Sequence, residues 1–310
     1  MSFRDDVLAG LAVRPRAIPA RWFYDRQGSE LFEAITRLPE YYPTCTEAAI
    51  LEKACAELAD EVGRGLAVVE FGSGSSTKTR VLIRCVEPAT YLPIDISGDF
   101  LREAAAEVAS EFSGVQVIPF EADFMRPLAL PKAVAGSRKF GFFPGSTIGN
   151  LEPAGAVDLL RAMRGSLGEG ARLLIGMDRV KDQDVLLAAY DDAEGVTAAF
   201  NLNLLARINR ELEGDVPLDA FRHRAVWNEG ASRIEMHLEA ARDVAFTAAG
   251  ERFAMAAGET VHTENSHKYT PEAARLLLRA GGWEPVREWI DERGWFSMIL
   301  AEARPPAAAP

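Results

Sequence analysis

At 310 residues the chain is long enough for one large domain or two smaller ones, and 48% hydrophobic with 26% charged residues is ordinary for a globular protein. Its net charge of −12, from 34 basic and 46 acidic residues, argues against nonspecific affinity for nucleic acid or an anionic membrane, both of which reward a basic surface. There is no apolar run of about 18 residues and no apolar signal core near the N-terminus, so the sequence predicts a cytoplasmic enzyme acting on a small molecule.

Met1–Val62 reads as loops and helices, and Thr44-Cys-Thr-Glu47 has the pattern of a capping box opening a helix that runs through Val62. From Leu66 to about Asp178 strand and helix alternate. Strands are expected at Leu66–Phe71, Thr90–Asp95, Val115–Phe120, Lys139–Pro144 and Arg172–Met177, with helices such as Phe100–Phe112 and Ala154–Gly165 between them. That alternation implies βαβ units and a parallel sheet. Lys181–Glu211 is helical in pattern, followed by strands at Phe221–Trp227, Arg233–Ala240 and Glu259–Glu264. Pro271–Ala280 returns to helix, and Trp283–Ile290 with Trp295–Ala301 reads as a closing antiparallel pair. The fold class expected is α/β, a parallel sheet with right-handed crossovers from residues 63–180, completed by residues 269–303. A second α+β domain, from 1–62 and 181–268, is inserted before the end of the sheet. The tail from Arg304 to Pro310 has nothing to bury and is expected to be disordered.

The segment Val68-Val-Glu-Phe-Gly-Ser-Gly-Ser-Ser-Thr-Lys-Thr79 nearly fits two nucleotide-binding signatures. It has the strand, the glycine turn and the helix opening near Ser75 that either requires. As a phosphate-binding loop it fails by one residue, because Thr77 stands where the second glycine belongs, and Glu70 would repel a triphosphate. As a site for S-adenosylmethionine its signs are right, since the sulfonium and α-ammonium are positive and Lys78 can meet the carboxylate. A glycine turn that serves only packing stays open as a third reading.

Ligands on such sheets bind at the carboxyl ends of the strands, which here carry Glu70, Asp95, Asp123 and Asn150. Asp95 can accept from both ribose hydroxyls, or cap the following helix. Asp123 can accept from the adenine amino group beside the Phe124 ring. Asn150, in Phe142-Phe-Pro-Gly-Ser-Thr-Ile-Gly-Asn150, can orient an amine or a carboxylate without adding charge, or cap a helix near Pro153. A nicotinamide dinucleotide is less suited, because the third glycine of its fingerprint is absent. Cys45, Cys55 and Cys85 are too far apart for a zinc knuckle or a redox pair and are expected to be free thiols. His262 and His267 lack cysteine partners, so no metal site is expected.

Read together, these stretches resemble the histidine-specific Nα-methyltransferases of ergothioneine biosynthesis. The resemblance is carried by Trp22-Phe-Tyr-Asp25, Gly28-Ser-Glu-Leu-Phe32, Ile35-Thr-Arg-Leu-Pro-Glu-Tyr-Tyr-Pro-Thr44, Glu70-Phe-Gly-Ser-Gly74, Lys78-Thr-Arg80 and Gly145-Ser-Thr-Ile-Gly-Asn-Leu151. It continues through Tyr190-Asp-Asp192, Ile208-Asn-Arg-Glu-Leu212, Arg233-Ile-Glu-Met236 and Thr263-Glu264, in order along nearly the whole chain. It implies a Rossmann-like class I methyltransferase sheet with a family-specific domain, acting as a monomer on L-histidine. Gly72, Lys78, Asp95, Asp123 and Phe124 would contact S-adenosylmethionine. Tyr41, Asn150 and Tyr190 would hold the amino acid, with Tyr24 near the amine; Tyr41 rather than Tyr42 rests on a one-residue alignment. Glu264 and Ser266 would bind the imidazole, and Met236 would lie beside the ring. Asn265, His267 and His237 depart from the more apolar or sulfur-bearing residues expected at their positions, and Asn265 is counted among the substrate contacts.

The chemistry of the pair agrees with that assignment. Glu264 can accept from one imidazole N–H and Ser266 can serve the other nitrogen, and residues two apart on a strand point to one face. The expected reaction is attack by the neutral α-amine on the donor methyl, repeated to the trimethylated betaine hercynine, with S-adenosylhomocysteine as co-product. Neither a metal nor a covalent nucleophile is called for. Tyr24, Tyr41 and Phe142 are candidates to face the growing cation. Two other readings stand beside this one: a methyltransferase for another aromatic amino acid such as tryptophan, and a noncatalytic protein that keeps the S-adenosylmethionine pocket.

Overall fold

The structure, a computed structural model, describes residues 2–74, 77–96 and 98–304. Ser75, where a helix start is expected, the side chain of Thr77 and the tail Pro305–Pro310 lie outside the described residues. The chain divides into two compact units, one of residues 1–42 with 181–267 and the other of residues 43–180 with 268–310. No helix of the described residues is long and apolar enough to cross a membrane.

The larger unit is built on an eight-stranded sheet. Its strands lie side by side in the order Trp283–Ile290, Phe296–Ala303, Arg172–Asp178, Lys139–Phe143, Ala67–Phe71, Thr90–Asp95 and Gln116–Val117, with Phe120–Glu121 also paired to Thr90–Asp95. The six strands from Ala67–Phe71 to Arg172–Asp178 are parallel, and Phe296–Ala303 pairs antiparallel to both of its neighbours. Counted along the chain, with Gln116–Val117 and Phe120–Glu121 taken as one position beside Thr90–Asp95, the parallel strands read 3-2-1-4-5 across the sheet, so the order reverses beside Ala67–Phe71, the place where open α/β sheets bind ligands. This is a Rossmann-like α/β sheet of the class I kind.

Strand alternation explains why both faces are covered. Val69 and Phe71 turn to one face, where Leu159, Leu160 and Met163 of the helix Pro153–Leu167 close the core. Val68 turns to the other face, among Ile50, Leu51 and Leu58 of the helix Tyr42–Val62 and Leu82 and Ile83 of Thr77–Val86. Strands buried on both faces need near-continuous apolar runs, which is why they are easy to read. The helix Tyr42–Val62 therefore belongs with the sheet, not with the inserted domain to which the sequence assigns residues up to 62. Cys55 on this helix is disulfide-bonded to Cys85 on Thr77–Val86, with Cα atoms 5.1 Å apart, and Cys45 stands outside this bond. The expectation of three free thiols is overturned. Spacing along the chain does not report two cysteines that face one another across packed helices.

The smaller unit holds a four-stranded sheet in the order Arg16–Ala17, Thr260–His267, Arg233–Ala240 and Phe221–Asn228, plus the hairpin Val244–Ala248 with Glu251–Met255. The short first strand pairs in parallel with Thr260–His267, and the other pairings are antiparallel. The helices Gln183–Tyr190 and Val196–Glu211 pack on this sheet, and Arg26–Ile35 packs on Val196–Glu211. The unit is α+β.

Candidate active site

In the larger unit the expected cofactor residues gather at the carboxyl ends of the parallel strands. Gly72 and Gly74 follow Ala67–Phe71 with φ of +73° and +44°, a left-handed backbone that glycine adopts without strain. A Cβ on Gly72 would stand 3.7 Å from the Phe124 ring, so a side chain there would fill the space beside that ring. Phe124 is half-buried and fixed by edge contacts to Phe71 and Phe143 at centroid distances of 6.0 and 6.1 Å. Asp95 is half-buried at the end of its strand, and Asp123 is exposed with its Oδ1 accepting from Met125 N at 3.0 Å. Asn150 ends the short 3-10 helix Thr147–Asn150 and is half-buried; the following helix takes Glu152, not Asn150, as its N-cap.

These residues fit S-adenosylmethionine: a glycine cradle, a flat ring and two carboxylates of the kind that ribose hydroxyls and an adenine amino group can donate to. They do not suit a triphosphate, because the one basic side chain of the loop is engaged. Lys78 Nζ lies 2.6 Å from Glu47 Oε2, where a ligand carboxylate is the partner expected from sequence. Glu47 is fully buried, and its two oxygens also accept from Gly145 N at 3.0 and 2.9 Å. The helix carrying it begins at Tyr42, so Glu47 lies past the first turn and does not close a capping box. It ties the loop after Lys139–Phe143 to the helix that carries Lys78.

Two further expectations change. Glu70 is closed off from solvent and held by groups of the protein itself. Fully buried, it accepts from Thr79 Oγ1 at 2.7 Å and Tyr91 OH at 2.6 Å, and burial pushes its carboxyl up to about 7, against the lowering effect of those hydrogen bonds and of Lys78. Phe142 is sealed in the core beside Val68, so it is not a face for a substrate cation.

In the smaller unit one face of the sheet collects the expected substrate residues. Across the strand pair, Glu264 stands opposite Met236 and Ser266 opposite Ile234. Ser266 and Met236 are buried and Glu264 half-buried. The Tyr190 hydroxyl and Ser266 Oγ share a hydrogen bond of 2.6 Å. Tyr190 is also joined to Tyr41 by an edge contact with centroids 6.2 Å apart, Tyr41 to Phe32 at 6.2 Å, and Phe32 to Tyr24 at 5.6 Å. Tyr24, Tyr41, Tyr190 and Ser266 thus form one connected run. Tyr42, the alternative to Tyr41, is buried and accepts from Lys181 Nζ at 2.6 Å.

Asn265 does not join this set. It is paired across the strands with Glu235, on the opposite face. His237 lies there too, with its Nε2 3.2 Å from Glu235 Oε2 and its ring 5.1 Å from that of His262. His267 is buried in register with Arg233. A strand turns adjacent residues to opposite faces, so Asn265 cannot share the side of Glu264 and Ser266. No group of three or more metal-ligating side chains is found among the described residues.

The model of the family described as histidine-specific, SAM-dependent methyltransferases matches residues 3–303. This chain belongs to that family. It is 44% identical over 306 residues to the histidine N-alpha-methyltransferase of Mycolicibacterium smegmatis, covering 97% of this chain and 94% of that one. With its counterpart from Mycobacterium tuberculosis it shares 44% identity over 308 residues, 97% of this chain and 95% of the other. A more distant relative, ergothioneine biosynthesis protein 1 of Neurospora crassa, is 30% identical over 94% of this chain but only 34% of its own length. The protein is thus an S-adenosylmethionine-dependent methyltransferase.

Several residues that shape this methyltransferase escaped the sequence reading. Glu47 looks like half of a capping box. Gly176 gives no local signal, yet a Cβ there would lie 2.2 Å from Glu47 Oε1. Ser146, held at φ +56°, accepts from Asp178 N at 2.9 Å through its hydroxyl, and Asp178 is paired with Lys268 Nζ at 2.8 Å, both side chains buried. These contacts span 32 and more residues of chain, beyond any motif window.

Proposed function

We propose that the protein trimethylates the α-amino group of L-histidine to hercynine, the first step of ergothioneine formation, and releases S-adenosylhomocysteine. The observation that carries the reading is the face on which Glu264, Ser266 and Met236 stand with Tyr190: a carboxylate and a hydroxyl two residues apart, beside an apolar thioether. Glu264 accepts one imidazole N–H, Ser266 serves the other nitrogen, and Met236 covers the ring. That both bacterial relatives are histidine N-alpha-methyltransferases supports the same substrate.

Gly72, Asp95, Asp123 and Phe124 hold the methyl donor, and Asn150 supplies a neutral polar contact at the same strand edge. When bound, S-adenosylmethionine supplies a methyl group on a positively charged sulfur that needs no further activation. The residues' task is then positional. Tyr41 and Tyr190 hold the amino acid so that its neutral amine is aimed, and such ordering replaces an entropic cost that free reactants would carry. The half-buried rings of Tyr24 and Tyr41 face the cation that grows with each methylation. The acidic net charge supports a small-molecule partner and no nucleic acid. Its two reactants are metabolites of the cytoplasm, where we place the reaction.

Calorimetric titration with histidine in the presence of S-adenosylhomocysteine tests the substrate. Saturable binding that is weakened in Glu264→Gln is expected; no histidine binding with or without the co-product would contradict the assignment.

A further inference from the structure

The strand Thr260–His267 carries one residue more than its partner needs. His262 faces His237 and Glu264 faces Met236, so two steps along one strand answer a single step along the other, and Thr263 is the extra residue. Such a bulge re-aims every side chain that follows it. With regular pairing Thr263 would face Met236 and Glu264 would face Glu235, placing two carboxylates together on the opposite side of the sheet. The bulge is what puts Glu264 and Ser266 on the face of Met236 and Tyr190.

Something must hold the bulge, and the buried polar groups around it form a closed set. Thr263 is fully buried, and its hydroxyl lies 2.8 Å from Asn201 Oδ1 and 3.0 Å from Met236 O. Asn201, also fully buried, uses its amide nitrogen toward His223 Nδ1 at 2.8 Å and His237 O at 3.0 Å. An amide nitrogen only donates, so His223 Nδ1 accepts and its Nε2–H donates to Tyr190 O at 2.8 Å. The amide is thereby locked with its oxygen toward Thr263. The same set reaches Tyr190 at its backbone, and Tyr190 reaches Ser266 at its hydroxyl.

We propose that Asn201, His223 and Thr263 are positioning residues that set imidazole specificity, by fixing the Thr263 bulge and so the face on which Glu264 and Ser266 stand. None of the three need touch the substrate. The proposal rests on the reading of Glu264 and Ser266 as the imidazole ligands.

The test compares Thr263→Val, which keeps the shape and loses the hydroxyl, with Thr263→Ser, which keeps the hydroxyl. Steady-state kinetics with histidine and with phenylalanine, an amino acid without ring nitrogens, are read beside S-adenosylhomocysteine affinity. Thr263→Val is expected to raise KM for histidine about tenfold or more, with kcat changed less than about threefold, the loss of one buried hydrogen-bond anchor. Its preference for histidine over phenylalanine falls by a similar factor, S-adenosylhomocysteine affinity is unchanged, and Thr263→Ser restores histidine KM to within about threefold of the parent. An unchanged histidine KM and preference in Thr263→Val, or equal damage in Thr263→Ser, overturns the proposal. Should Thr263→Val fail to fold, Asn201→Asp, which replaces the donors to His223 by an acceptor, is expected to give the same loss, and a parental KM there overturns it. Glu264→Gln separates the two levels. If it leaves histidine KM unaltered, the ligand reading itself fails; if it raises KM while Thr263→Val does not, only the positioning role fails.

Discussion

Glu70 is a carboxyl group with no solvent in which to place a charge. Burial holds its pKa at about 7, above its ordinary 4.5, so between these values the folded protein keeps a proton that the unfolded chain has released. Its contribution to stability is full below pH 4.5 and is lost as pH rises through 7. Glu70→Gln is neutral throughout. The melting temperature of the parent minus that of Glu70→Gln is therefore expected to fall between pH 5 and 8, measured by thermal melts across roughly this window; a difference that rises would mean Glu70 is ionised in the fold. At the other candidate site, removing the charge in Glu264→Gln or the hydroxyl in Ser266→Ala is expected to raise KM for histidine. The larger effect falls on Glu264, about 10-fold to 100-fold for a charged hydrogen bond. Equal KM values for histidine in parent and both variants would remove these residues from the imidazole site. That Glu264 and Ser266 share one face is legible because a period of two puts alternate strand residues together. The same alternation turns Asn265, which lies between them, toward Glu235 on the other face.

Elements were legible where local chemistry decides them. The parallel strands are continuous apolar runs because helices cover both faces, and the helix Pro271–Ala280 is opened by its Thr270 cap and by proline in its first turn. The hairpin Val244–Ala248 with Glu251–Met255 passed unnoticed because its turn places Ala249 and Gly250 at φ +53° and +85°, where asparagine before glycine is the usual signal. The helix Tyr42–Val62 was placed with the wrong unit, since nothing along its own sequence says which apolar surface will receive it. Its Glu47 meets the backbone of Gly176, and that crossing works only without a side chain. Gly176→Ala would set a Cβ 2.2 Å from Glu47 Oε1 and 3.1 Å from the Phe296 ring. The substitution is expected to cost about 1–3 kcal/mol in urea unfolding, as for other overpacked cores, and to weaken S-adenosylhomocysteine binding by loosening Glu47 from Gly145. Parental stability would mean that Glu47 has room to move.

At the scale of the whole chain, the residues proposed for the methyl donor lie in the larger unit, and those proposed for the imidazole lie in the smaller. The Cys55–Cys85 bond closes a separation of 30 residues within the larger unit. A loop of that size restricts the unfolded chain by about 3–4 kcal/mol in the chain-entropy account, so reduction is expected to lower the melting temperature. Denatured protein prepared without reductant should release a single reactive thiol, from Cys45, and all three after reduction; three thiols before reduction would contradict the bond. The central claim is that the Glu264 and Ser266 face selects histidine for methylation. Its most direct test is mass spectrometry of products formed from S-adenosylmethionine with histidine or tryptophan as the acceptor. The account predicts mono-, di- and then trimethylated histidine, with hercynine accumulating. Tryptophan turnover exceeding that of histidine, or no methylated histidine at all, would contradict it.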